Sequence, residues 1–348
     1  MTVCGALMVK DEAEVVERCL LSLMPLCDHI LVMDTGSTDG TTEIVERVLH
    51  NFPHTLRLRL FTTYGDTRTA LVQEASTLGD WVLMIDAHCT VSGTFTPPAE
   101  DKLLIQFIER DGDEEMMSRR ALILRSSIPW RYDGGELHEY VTSDAVHTEA
   151  FYNAIEQEHH GPCGQRRDTE DDLSVLQELA EAQPKNPRWM FYVAQTLKAL
   201  ERTEEAIEAY YVCVQMGQPE QEWVWYSLFQ AALLRDDVHA LIAACELRPE
   251  RAEGPYAISV HFSNAGRYDL ALPFAEAAAR LPEPDDTMFI NRPVYAWAGL
   301  LQYSICLAAN GHFSAAEAVN AEILARKIPD AVGAQVKAMA ASYPHPVP

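Results

Sequence analysis

Between Cys4 and Ala87, short apolar runs alternate with segments of helical period, which limits the first part of the chain to an α/β architecture. Cys4 to Val9, His29 to Asp34, Leu56 to Phe61 and Trp81 to Ala87 read as strands. Asp11 to Leu23, Thr42 to Phe52 and Thr67 to Thr77 read as the helices between them. Such strand-helix-strand units build a largely parallel sheet. After Pro97 and Pro98 the pattern predicts a helix to about Arg110. Two strands, Ala121 to Ser127 and Leu137 to Ser143, then complete a mixed sheet.

The polar stretch His159 to Asp172 carries glycine and proline, and beyond it strand signals give way to helical periodicity. A first domain of residues 1–165 and a second, all-α domain of residues 166–348 follow. The second repeats itself: Ala206 lies 34 residues before Ala240, which is the tetratricopeptide period. Gly266-Arg267-Tyr268 with Ala271 recurs as Gly311-His312-Phe313 with Ala316. The wider spacing there reflects a proline-rich insertion around Leu281 to Pro293. Small residues at fixed places let paired helices approach, as in helical repeat arrays.

With 348 residues, 48% of them hydrophobic, the chain can bury two cores. Its formal charge of -25 disfavours a general nucleic-acid or anionic-membrane surface. The eight cysteines form no Cys-x-x-Cys pair and read as buried thiols of a reducing compartment, the cytoplasm. No signal-peptide pattern or membrane-length apolar run is present, so no membrane insertion is expected.

Two strands end in carboxylates, Asp34 and Asp86. Carboxyl ends of strands in an open α/β sheet border the ligand crevice, so both can face one pocket. Asp34 opens the run Asp-Thr-Gly-Ser-Thr-Asp-Gly-Thr, in which Gly36 permits a tight turn and Ser37, Thr38 or Asp39 can cap the next helix. Its carboxylate either accepts an imide N–H such as that of uracil or serves that turn alone. Asp86-Ala87-His88 sets a carboxylate and an imidazole two residues apart, on one side of an extended chain, and both suit a divalent ion such as Mn²⁺. His138, His159 and His160 are further candidate ligands. Arg119, Arg120, Arg125 and Arg131 read as a solvated face.

In combination, Val-Lys-Asp-Glu (9 to 12), the Asp34 run, Gly-Asp-Trp (79 to 81) ahead of Asp86-Ala-His, and Trp130 with Gly135 and His138-Glu139 resemble family 2 glycosyltransferases of GT-A fold. They are most similar to those fused to tetratricopeptide repeats. Pro-Arg-Trp-Met-Phe-Tyr-Val-Ala-Gln (187 to 195) and Glu-Trp-Val-Trp-Tyr-Ser-Leu (222 to 228) are similar to that subgroup's repeat segment. The resemblance implies a UDP-sugar donor, with uracil bound by Asp34 and Lys10 lining the base pocket. It also puts Asp66 and Arg68 near the nucleotide, with Arg68 available to phosphate charge, and has Asp86 touch ribose and metal (Mn²⁺ or Mg²⁺).

His88 departs from the usual Asp-x-Asp and is similar to the Asp-x-His of polypeptide N-acetylgalactosaminyltransferases. His159 or His160, before Gly161, resembles the late histidine of the metal shell. Glu139 stands where the family carries its acceptor-side acid and is the expected base of an inverting transfer, with His138 as base or metal ligand instead. The expected acceptor is a protein, peptide, glycan or other polymer held partly by the repeats. An inactive binding scaffold and a transferase acting on modified nucleic acid are the other two readings.

Overall fold

The structure, a computed structural model, describes residues 1–111, 114–134, 137–160, 169–218 and 220–343. Gly135, Gly161 and the 165/166 boundary lie outside them. The chain divides into two compact units, Met1–Arg110 with Met117–Arg167, and Asp111–Met116 with Asp168–Pro348.

The first unit is built on strands β1 (Val3–Val9), β2 (His29–Asp34), β3 (His54–Leu58) and β4 (Trp81–Asp86). They run parallel in the order β3-β2-β1-β4, and β7 (Glu114–Arg125), β6 (Lys102–Asp111), β10 (Glu149–His159) and β5 (Cys89–Gly93) extend the sheet beyond β4. Helices α1 (Val16–Leu23) and α2 (Thr41–Leu49) cover one face. Val16, Cys19, Leu20 and Leu23, one stripe of α1, pack there with Leu7, Val9, Leu83 and Ile85. Helix α3 (Tyr64–Ala75) covers the other face through Leu71, Val72 and Ala75, against Ala6, Met33 and Met84.

Residues 102–111 form a strand, not the expected helix. The apolar positions of Lys-Leu-Leu-Ile-Gln-Phe-Ile satisfy a helical period, but Leu103, Ile105 and Phe107 alternate into the core, and the pairing available inside the sheet overrides the local pattern. The region expected as a strand at 137–143 is also different. Only β9 (Tyr140–Thr142) is extended, and it pairs with β8 (Arg131–Asp133) in a separate antiparallel ribbon. The arginines do not share one solvated face: Arg120 is exposed, but Arg119 is buried, and Arg125 spans Asp101 and the carbonyls of Pro98, Ala99 and Glu100.

The second unit is an array of tetratricopeptide-like helices: α4 (Glu170–Ala182), α5 (Pro187–Ala199), α6 (Thr203–Met216), α7 (Glu222–Arg235), α8 (Val238–Leu247), α9 (Glu253–Asn264), α10 (Tyr268–Arg280), α11 (Gly299–Ala309), α12 (Phe313–Leu324) and α13 (Asp330–Ala341). Four hairpin turns share one device. Glu201, Asp236, Gly266 and Gly311 each adopt a left-handed φ two residues before α6, α8, α10 and α12 begin. The fourth residues of those helices are Ala206, Leu241, Ala271 and Ala316, all buried. The position matching Ala206 is therefore Leu241, while Ala240 is only half-buried, so the repeat is one residue longer here than the 34 expected. No helix among the described residues is long and apolar enough to cross a membrane.

Candidate active site

Asp34 and Asp86 end β2 and β4, the strands on either side of β1, where Asp34 pairs with Val9 and Asp86 with Met8. Because successive side chains alternate, the two carboxylates leave the sheet on opposite faces, Asp34 toward α1 and α2 and Asp86 toward α3. Both groups nevertheless stand at the carboxyl end of the sheet, on the two strands that flank β1. Asp34 is buried and accepts the N–H groups of Gly36 (3.1 Å) and Ser37 (3.1 Å), so it organises the turn that follows it.

That turn is clasped to the loop after β1. Thr38 N–H donates to Asp11 Oδ1 (2.7 Å), Asp11 N–H to Ser37 Oγ (2.9 Å), Glu12 N–H to Thr41 Oγ1 (2.8 Å) and Ala13 N–H to Asp39 Oδ2 (2.9 Å). Asp11 itself holds a left-handed φ of 54° beside the exposed Lys10. The polar residues of both motifs thus join two strand-end loops, leaving Glu12 half-buried. Burial, then the charges of Asp86, Asp39 and Asp11, push the Glu12 pKa up. No role for Glu12 is legible in the sequence, although it stands three residues past a strand end.

Arg68, in α3, joins the two remaining acids. Its Nη2 lies 2.5 Å from Asp86 Oδ1, its Nε 2.5 Å from Glu139 Oε1, and its guanidinium 6.0 Å from the centre of the Tyr132 ring. The Nε contact is an ion pair without hydrogen-bond alignment. Arg68 therefore bridges two carboxylates. Burial opposes ionisation of Asp86, but the charge and hydrogen bond of Arg68, with His88 nearby, outweigh it and hold the pKa at about 2. Asp66, two residues earlier, is exposed, and its N–H donates to the capping Thr63 Oγ1 (3.1 Å).

Beyond Asp86 the chain turns into β5, and ligand atoms of Asp86, His88 and Cys89 lie within 4.8 Å of one another. β10 runs antiparallel to β5 and pairs His159 with Cys89, which brings the His159 ring edge-on to His88 at 4.8 Å. Burial lowers the pKa of both imidazoles, leaving neutral nitrogens suited to a metal ion. The His160 ring instead bonds Thr90 Oγ1 (2.7 Å). Cys89, in sequence no more than one of eight dispersed thiols, becomes a candidate donor through the turn that brings it to Asp86 and His88.

Glu139 is presented by the β8–β9 ribbon, which Tyr132 N–H ties to Thr69 Oγ1 on α3 (2.9 Å). Neighbouring His138 is exposed, with a left-handed φ of 54°. Gly134 has φ 107°, and a Cβ there would stand 3.0 Å from Glu139 Cα. Gly134→Val is expected to displace Glu139 and destabilise the protein by about 1 to 3 kcal/mol. Thermal melting of the variant beside the native chain checks it.

A second expectation concerns acid. The Asp86 pKa is depressed from an unfolded value of about 3.9, so its contribution to stability is complete above about pH 5 and is lost as pH falls toward 2. Asp86→Asn should cost about 1 to 2 kcal/mol at pH 6. The difference from the native chain in urea unfolding should vanish near pH 2.

The family model described as Glycosyl transferase family 2 matches residues 7–131. The SPbeta prophage-derived glycosyltransferase SunS of Bacillus subtilis (strain 168) is 23% identical over 228 residues, 59% of this chain and 51% of that protein. A TPR repeat-containing protein of Synechococcus elongatus is 36% identical over 87 residues, 23% of this chain and 19% of that one. The matches thus span about half or less of either relative's length. Among solved structures, S. aureus TarS 1-349 in complex with UDP-GlcNAc is 16% identical, with a TM-score of 0.38, covering 77% of this chain and 93% of that one. YrrB, a TPR protein with an unusual peptide-binding site, is 16% identical with a TM-score of 0.38, covering 48% and 81%.

Proposed function

We propose that this chain, which carries a family 2 glycosyltransferase domain ahead of tetratricopeptide-like repeats, transfers a sugar from a nucleotide-diphosphate donor, a UDP-sugar, to a polymeric acceptor. The observation that carries the reading is the sharing of Arg68 between Asp86 and Glu139. It couples a carboxylate at the donor-side strand end to one on a separate ribbon, and the His88 and His159 rings stand nearby.

Asp34 and Lys10 face the base, and Asp86 the ribose. Asp66 lies farther out, at the nucleotide's edge. Arg68 keeps Asp86 ionised and orients Glu139, which takes the acceptor proton as the hydroxyl attacks the anomeric carbon from the face opposite the diphosphate, giving inversion. His138, exposed beside it, borders the acceptor. A divalent ion fits the donor set of Asp86 and His88, with His159 and Cys89 beside them and His160 behind. When bound it would neutralise the diphosphate leaving group. The acceptor is a protein, peptide or glycan, contacted in part by the helical repeats.

Titration calorimetry with UDP is the direct test. Mn²⁺ or Mg²⁺ should tighten UDP binding at least tenfold over excess chelator. Equal affinity in all three conditions would remove Asp86 and His88 as a metal site.

A further inference from the structure

The proline-rich insertion between α10 and α11 is held like a peptide by the helices of its own unit. Within the six residues Asp286 to Asn291, main-chain groups are gripped by side chains from α7, the start of α9 and Arg251 just ahead of α9. Thr287 and Met288 N–H donate to Glu222 (2.8 and 2.6 Å), and Asn291 N–H donates to Glu253 Oε1 (3.0 Å). Arg251 donates to the carbonyls of Met288 (3.1 Å) and Phe289 (2.8 Å). Phe289, at a left-handed φ of 49°, stacks on Tyr226 of α7 at 4.5 Å and lies 5.8 Å from Phe191 of α5. The grip therefore reaches three alternate helices of the array.

The charges beneath the segment are unusually buried. Arg251 is 1% exposed, bonds both oxygens of Glu253 (3.0 Å each) and Asp286 Oδ2 (2.9 Å), and lies 4.1 Å over the Trp225 ring. Tyr295 donates to Glu253, and Arg248 holds the other Asp286 oxygen at 2.7 Å. Side chains that grip main-chain amides and carbonyls, with an aromatic slot for one side chain, are the means by which a groove recognises an extended peptide irrespective of most of its sequence.

We propose that the face shared by α5, α7 and α9 is a peptide-binding surface filled in cis by residues 286–291. The segment is a tethered ligand: it is kept in place by effective concentration together with the pairing of Ile290 and Asn291 with β7, and it closes this face to any extended acceptor or partner. Contacts between the repeats and an acceptor must then use the remaining helices.

The test uses the full chain with residues 286–291 replaced by a six-residue Gly/Ser linker. The probe is a fluorescein-labelled synthetic peptide of residues 284–292. Saturable binding to this variant, at least tenfold tighter than any binding to the native chain, is the expected result. A variant with native circular dichroism and no peptide binding overturns the proposal. If the replacement prevents folding, hydrogen exchange of Phe289→Ala decides. A tethered ligand predicts at least tenfold faster exchange at Thr287, Met288 and Asn291, with the amides of α5, α7 and α9 unchanged. Joint acceleration of segment and helices would make the segment ordinary core and sink the idea.

Discussion

Glu139→Gln should lower turnover by about a hundred- to ten-thousand-fold while leaving donor affinity nearly unchanged. The substitution keeps the side chain's shape and most of its hydrogen bonding but removes the proton acceptor of the proposed transfer. Arg68 retains Asp86 as its partner, at 2.5 Å, so the donor-side strand end remains organised. Single-turnover rates and UDP calorimetry on the same variant separate the outcomes. A loss of tenfold or less, or a parallel fall in affinity, would make Glu139 a positioning group for Arg68 and leave His138 as the base. Proton NMR of the first-formed product checks the stereochemistry independently, because retention of the donor's configuration would exclude the in-line attack that requires this base.

The largest stability effect is expected far from that chemistry. Arg251→Met removes the cation shared by Glu253, 4% exposed, and Asp286, 6% exposed. Two buried carboxylates then lose their central partner, and breaking such a pair from one side costs about 3 to 5 kcal/mol. Urea unfolding followed by helical circular dichroism measures it. A change below about 1 kcal/mol would mean that Arg248 and Tyr295 suffice to satisfy both acids. Arg251→Lys should recover only part of the loss, since an ammonium cannot reproduce the planar fork that meets both oxygens of Glu253 at 3.0 Å.

The sequence by itself determined the layered α/β first half and the helical repeats of the second, because both follow from local periodicity. Strand ends at Asp34 and Asp86, the stripe on α1, and the paired turns at Gly266 and Gly311 are set by residues within a few positions of one another. Residues 102–111 show where that reasoning ends. Their apolar positions fit a helix as well as a strand, and only hydrogen bonding to β10 and burial of alternate side chains chose between them.

The candidate site divides along the same line. Its residue types were legible as motifs, but not their partners. Arg68 and Glu139 are 71 positions apart in the chain, and they meet because the β8–β9 ribbon is tied back to α3. His159 reaches His88 through the β5–β10 register, and Cys89 joins Asp86 only because the chain turns after β4. The insertion at 281–293 read as mere excess length, since a proline-rich stretch carries no period. What it binds was decided by Glu222 and by the buried Arg251 and Glu253, whose charges lower their free energy when its amides and carbonyls complete their hydrogen bonds.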